Sequence, residues 1–326
     1  MDLCTHDRKV RQQSFVGGKF ENLLANICWR KVRQQMFDGP YTRSDFQPTS
    51  SHPTFPVGES DCVYAALRSS SLQTPMYYFL SFLSLVDLLY SSVITPKMLG
   101  DLLSQSKTIS FIGCAIQFFF FAIMSVTESL LLSTMSYDRY VAICQPLRYG
   151  SIMTKKRCLS LILLIFAVSC LQSVVQTSCI FTLEYCGSNF IKHFYCDAPP
   201  LFKLSCSDTL WCDSVAFFFV STCGAGSLMA ILVSYTLIVL SILRMKSKKG
   251  RQKVFNTCSS HIMCLSIFYG TVFFIYLRPT DHSFEEQDRV VTILYTVLIP
   301  MLNPLIYSLR NQDVKQAIKK AIHINP

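Results

Sequence analysis

Six apolar segments, at about 76–99, 111–136, 158–180, 214–243, 257–278 and 290–309, dominate the chain. Each is long enough to cross a bilayer, for which about 20 mostly apolar residues are needed. Only 15% of the residues are charged, against about 25% in a soluble domain. The net charge of +10 is concentrated in short connections rather than on one face. That is the charge distribution of a membrane protein, and it argues against a nucleic-acid partner.

The basic connections set an expected orientation. Arg139, Arg148, Lys155, Lys156 and Arg157 lie in 137–157, and Arg244, Lys246, Lys248, Lys249, Arg251 and Lys253 in 244–253. Both loops, and the tail bearing Arg310, Lys315, Lys319 and Lys320, are expected in the cytoplasm. Within 311–322, Val314, Ala317, Ile318 and Ala321 recur at helical spacing beside lysines, the pattern of an amphipathic surface helix. Six crossings with an inner C-terminus put the N-terminus inside as well. The basic clusters at 8–11 and 30–33 agree with that.

Residues 1–73 read as an atypical, largely disordered basic region without a membrane helix. Their most apolar stretch, 20–29, is short and interrupted by Glu21 and two asparagines. No signal peptide is evident. The hexapeptide Arg-Lys-Val-Arg-Gln-Gln occurs at 8–13 and again at 30–35. Residues 40–61, rich in Pro, Ser, Thr and Asp, read as a linker. The bundle occupies 74–310, and the surface helix and tail 311–326.

The chain has 15 cysteines. Cys170, Cys223 and Cys264 sit in apolar segments, as small core residues do. Cys186, Cys196 and Cys206 share one polar loop, which points to an oxidising compartment. With Cys114 they allow three pairings. Cys258, His261 and Cys264 have the residue types of a metal site, but their i, i+3, i+6 spacing drifts off one helix face and a fourth ligand is missing. No phosphate-binding Gly-rich loop, nucleophile elbow or HExxH occurs, so the chain reads as a non-enzyme. A six-helix channel or transporter is disfavoured by the lack of an inverted repeat or filter-like loop.

Motifs then follow in order: TPMYYFLSFLSLVD (74–87), TPKML (95–99), IGCAIQ (112–117), MSYDRYVAIC (135–144), SY (234–235), KVFNTCSSH (253–261), FYGT (268–271) and PMLNPLIYSLRN (300–311). Over about 75–322 this succession resembles the olfactory receptors, a branch of the rhodopsin-like G-protein-coupled receptors. The resemblance implies an all-α membrane bundle whose six segments match helices two to seven of that fold. It implies a small volatile odorant as ligand. A heterotrimeric G protein of the stimulatory olfactory type would be the partner, through the 137–157 and 244–253 loops.

An Asp-Arg pair at a membrane boundary is costly to desolvate, which favours a functional role over mere anchoring. By resemblance Asp138, Arg139 and Tyr140 form the activation switch. Arg139 is restrained by Asp138 and, once released, meets the G protein or Tyr235 and Tyr307. Asn303 and Pro304 kink the last helix, and the resemblance makes that kink a moving hinge. Asp87 and Glu128 are carboxylates inside apolar segments, where an acid is neutral or held by a cation. By resemblance they hold a sodium ion or a proton. The resemblance also selects the pairings Cys114–Cys196 and Cys186–Cys206.

The same likeness places the odorant between helices. Phe118, Phe121, Ala122, Ser125 and Val126 would line one wall, and Tyr269, Val272, Phe273 and Tyr276 another. Thr292 and Tyr295 would complete it. Such a wall is aromatic and nearly uncharged, suited to a small, weakly polar molecule.

The chain departs from the family before residue 74. The family's first helix, with its Gly-Asn pair, and its N-glycosylation sequon have no counterpart there. The expectation is a bundle short of one wall, with two rival outcomes. One is a signalling odorant receptor at the plasma membrane. The other is a truncated, non-signalling variant retained in the endoplasmic reticulum.

Overall fold

The computed structural model describes residues 9–12, 74–103, 107–186, 190–191 and 193–276. Among these the chain is helical throughout its apolar segments. The elements are α1 (Pro75–Leu103), α2 (Phe111–Cys144), the short α3 (Tyr149–Ile152), α4 (Lys155–Phe181), the short α5 (Ala198–Phe202), α6 (Leu210–Val220), α7 (Gly226–Arg244) and α8 (Lys248–Tyr276). A π-helical segment, Ser221–Ala225, joins α6 to α7, so that Leu210–Arg244 is one rod. Four helical stretches among the described residues are long and apolar enough to cross a membrane: Pro75–Asp101, Phe111–Cys144, Lys155–Phe181 and Leu210–Arg244. The apolar part of α8 is His261–Thr271. The expected crossing at 290–309 and the surface helix at 311–322 lie outside the described residues.

Helix α2 is the axis of the bundle, packing on α1, α4 and α7. Of its apolar window 61% is buried, against 28% for α4 and 22% for the α6–α7 rod. The outer faces of those two carry exposed Leu163, Leu171, Phe217 and Leu232, which in water would be an aggregation surface and in lipid is not. The helix starts are locally specified. Ser110 caps α2 by accepting the Gly113 N–H at 3.0 Å, and Thr154 caps α4 from Arg157 N–H. A Cβ on residue 113 would come 2.8 Å from the capping oxygen, so the cap requires a glycine there.

Three short strands cover one end. β1 (Lys9–Gln12) lies between β2 (Thr108–Ser110), with which it is antiparallel, and β3 (Phe190–Ile191), with which it is parallel. β2 leads directly into α2, and Arg139 stands 28 residues further along that helix than Phe111. At 1.5 Å per residue that is about 40 Å away. Lys9–Gln12 therefore sits at the end opposite Arg139. There β2 and β3 each offer this strand an edge of backbone hydrogen-bonding groups.

Candidate functional site

Two buried clusters meet along α2. The outer one gathers Ile109, Cys114, Phe118, Ala122, Ile180, Ile191, Cys196 and Leu201. The inner one contains Phe79, Leu83, Tyr90, Leu131, Leu132 and Met135, with Tyr269 from α8. Phe118 and Ala122 thus face the covered end. Phe121 points elsewhere: its ring is 5.7 Å from Tyr90 and 4.8 Å from Tyr195. Ser125 and Val126 are half-buried on the same helix. Phe273 is 42% exposed, so its ring is not enclosed by the described residues. Val272 and Tyr276 belong to α8, but their side chains, like Thr292 and Tyr295, lie outside the described residues.

The polar floor of this region was not foreseen. Continuing from Phe118, Ala122 and Ser125 at helical spacing leads to Ser129. Its Oγ is 2.8 Å from Ser227 Oγ on α7, which in turn is 2.7 Å from the Tyr269 hydroxyl on α8. Ser129 and Tyr269 oxygens are themselves 3.4 Å apart. Three hydroxyls from three helices close on one another in the interior, each with its hydrogen-bonding capacity engaged. The sequence signal was the i, i+4, i+7, i+11 stripe, which singles out Ser129 among many serines.

A loop tyrosine was also missed. The segment after β3 lays Phe194 and Tyr195 into the bundle, both buried. It is held by the Cys114–Cys196 disulfide and by Gln117, whose Oε1 accepts the Cys196 N–H at 3.1 Å. The Cys186–Cys206 bond is present too. A third disulfide, Cys179–Cys212, ties the outer end of α4 to the start of α6.

At the other end, Asp138 is buried, and its partner is not Arg139. The Tyr149 hydroxyl of α3 donates to Asp138 Oδ1 at 2.9 Å. Among the described residues no ion pair joins Asp138 to Arg139, and the Arg139 Nε is buried with no hydrogen-bond partner there. The aspartate is reached sideways by the loop tyrosine, while the arginine, next along the helix, points differently. Burial, then the charge of Asp138, pushes the Tyr149 hydroxyl well above the usual tyrosine range. Tyr140 accepts from Gln145 Nε2 at 3.2 Å. Tyr235 OH lies 2.7 Å from His261 Nδ1, so His261 serves an interhelical contact between α7 and α8. Asn303, Pro304 and Tyr307 lie outside the described residues.

Asp87 on α1 and Glu128 on α2 are both buried. Two carboxylates on packed helices are a donor set that suits a hard cation or a shared proton.

A family model described as "Olfactory receptor" matches residues 56–324. The chain is 50% identical to "Olfactory receptor-like protein COR4" of Gallus gallus over 254 residues, 78% of this chain and 81% of that protein. It is 52% identical to "Olfactory receptor 5AP2" of Mus musculus over 253 residues, 78% of this chain and 80% of that protein. The crystal structure of squid rhodopsin is similar in fold, with a TM-score of 0.64 at 18% identity over 81% of this chain and 80% of that one.

Proposed function

Since this chain belongs to the olfactory receptor family, we propose that it is a G-protein-coupled odorant receptor of the plasma membrane, signalling through a stimulatory G protein. It is a multi-pass membrane protein and not an enzyme. The ligand is a small, weakly polar volatile molecule held against the α2 stripe and Tyr269.

One observation carries this reading: the Ser129–Ser227–Tyr269 cluster joins the candidate ligand face to three helices at once. A molecule that displaces the Tyr269 ring changes hydrogen bonds on α2, α7 and α8 together. Further along the same helices, Tyr235 and His261 join α7 to α8 near the half-buried Arg139. Separation of α7 from α8 there releases the arginine side chain toward a cytoplasmic partner. Asp87 and Glu128 would hold the sodium ion or proton that favours the resting arrangement.

The test is a cyclic-AMP reporter assay in cells expressing the full chain, run against a broad odorant panel. A dose-dependent response, lost in Arg139→Ala, is expected. A silent panel favours the second reading, a truncated receptor retained in the endoplasmic reticulum. What favours that reading is the lack of any apolar run of about 20 residues in 1–73. Surface immunostaining of the same cells separates a silent receptor at the membrane from a retained one.

A further inference from the structure

Helices α7 and α8 are joined by three residues, 245–247, and Met245 there has extended backbone at φ −72° and ψ 124°. This linker lies at the Arg139 end of the bundle, where the Cys144 thiol at the end of α2 meets the Leu237 carbonyl of α7 at 3.7 Å. Ser247 is exposed, and so are Arg244, Lys246, Lys248 and Lys249 around it. Residues 244–253 hold six cations and no acid, and no Asp or Glu occurs between Asp213 and Asp281. Like charges crowded on a short linker repel one another, so an anionic group in their midst relieves that repulsion.

We propose that Ser247 is a phosphorylation site for a protein kinase that reads basic sequences. Arg244 stands three residues before it, with Lys246, Lys248 and Lys249 beside it. Together they present, on one exposed linker, the charge pattern that an acidic substrate groove selects. The serine Oγ attacks the γ-phosphorus of the kinase's Mg-ATP. The new O–P bond forms as the bond to ADP breaks, ADP leaves, and the hydroxyl proton passes to the kinase's base. Thr154 is also exposed and is followed by Lys155, Lys156 and Arg157, but it has no cation in the five residues before it. That difference singles out Ser247.

A phosphoserine carries about −1.5 to −2 charges at pH 7. Ser247 already contacts the first turn of α8: its Oγ accepts the Gly250 N–H at 3.3 Å, and its carbonyl accepts the Arg251 N–H at 3.1 Å. A phosphate on that oxygen lies in sequence between Arg244, the last residue of α7, and Lys248 and Arg251, at the start of α8. Charge-assisted hydrogen bonds to cations on both sides order the linker.

The modified linker holds the adjoining ends of α7 and α8 together, against the separation that releases Arg139. This last consequence rests on the signalling reading above. The modification itself does not.

The full chain in lipid nanodiscs, incubated with Mg-ATP and the catalytic subunit of cyclic-AMP-dependent kinase, tests this by phosphopeptide mapping. Most of the incorporated phosphate is expected at Ser247. Severalfold less is expected there in Arg244→Gln, and none in Ser247→Asn, which keeps a capping side chain. Retention of the Cys114–Cys196 linkage reports correct folding of each variant. Phosphate confined to other hydroxyls, or no phosphate, in a chain that keeps that linkage overturns the site. Hydrogen exchange in peptides covering 245–252 is expected to slow severalfold on phosphorylation, and unchanged exchange overturns the ordering of the linker. Phosphate at Ser247 in a chain silent to the odorant panel supports the site and sinks the signalling reading alone.

Discussion

The hydroxyl of Tyr235 stands 2.7 Å from Nδ1 of His261, the imidazole being 0% exposed, and this contact ties α7 to α8 near Arg139. Its ring Nε2 has no partner among the described residues, so Nδ1 carries the polar satisfaction of the imidazole.

Tyr235→Phe is therefore expected to destabilise the bundle by about 1 kcal/mol, the order found for interhelical hydrogen bonds in membranes. The purified receptor should melt a few degrees lower in a thermal-shift assay. Coupling should also weaken, because the change frees the two helices that flank the arginine. An unchanged melting temperature would show the contact to be idle.

Ser227→Ala removes the central oxygen of the buried cluster. Ser129 and Tyr269 then keep only their 3.4 Å approach. A net loss of about 1 kcal/mol corresponds to roughly a fivefold change in an equilibrium constant. Odorant dose-response curves should move by about that factor, while surface expression, measured by immunostaining, stays near the parent level.

The Cys179–Cys212 bond closes a sequence separation of 33 residues between two helix ends. In the chain-entropy account such a link stabilises by about 3–4 kcal/mol. Non-reducing peptide mapping should recover the linked pair. The double variant Cys179→Ser, Cys212→Ser should melt several degrees lower.

Tyr149 gives a pH signature. Its folded hydroxyl is held above the ordinary value of 10.0, first by burial and then by the charge of Asp138. The Tyr149–Asp138 contact is therefore fully present below pH 10 and is lost as pH climbs from there through the raised folded value. Spectrophotometric titration of the folded receptor should show fewer tyrosines ionising near pH 10 than after unfolding, with Tyr149 and the equally burial-raised loop residue Tyr185 among the missing ones. Tyr149→Phe should abolish that tyrosine's contribution to the difference. The same variant should cost about 1–3 kcal/mol of stability, since it strips Asp138 of its donor.

The membrane helices were legible because an apolar run of the right length has few alternatives in a bilayer. The α2 stripe was legible in part: Phe118 and Ala122 face the covered end, but Phe121 turns toward Tyr90 and Tyr195. The Asp138 partner was not legible. Adjacent residues on a helix point about 100° apart, so an aspartate next to an arginine is free to be claimed by another element. Cys179 looks like a small residue of an apolar run and Cys212 stands beside Asp213 at the start of the next, and only their proximity reveals the bond. β1 is four residues long and mostly polar, below the length at which alternation is informative.

The π segment Ser221–Ala225 has a consequence for the rod that contains it. A wide turn takes up one residue more than an α turn, which offsets everything beyond it by about 100° in angular phase. Cys212, before the offset, is aimed at α4, while Ser227, after it, is aimed at α8. A rod of uniform pitch could serve one of these neighbours but would swing the other away. Deleting a single residue between Ser221 and Ala225 thus sets the outer staple and the buried hydroxyl cluster against each other.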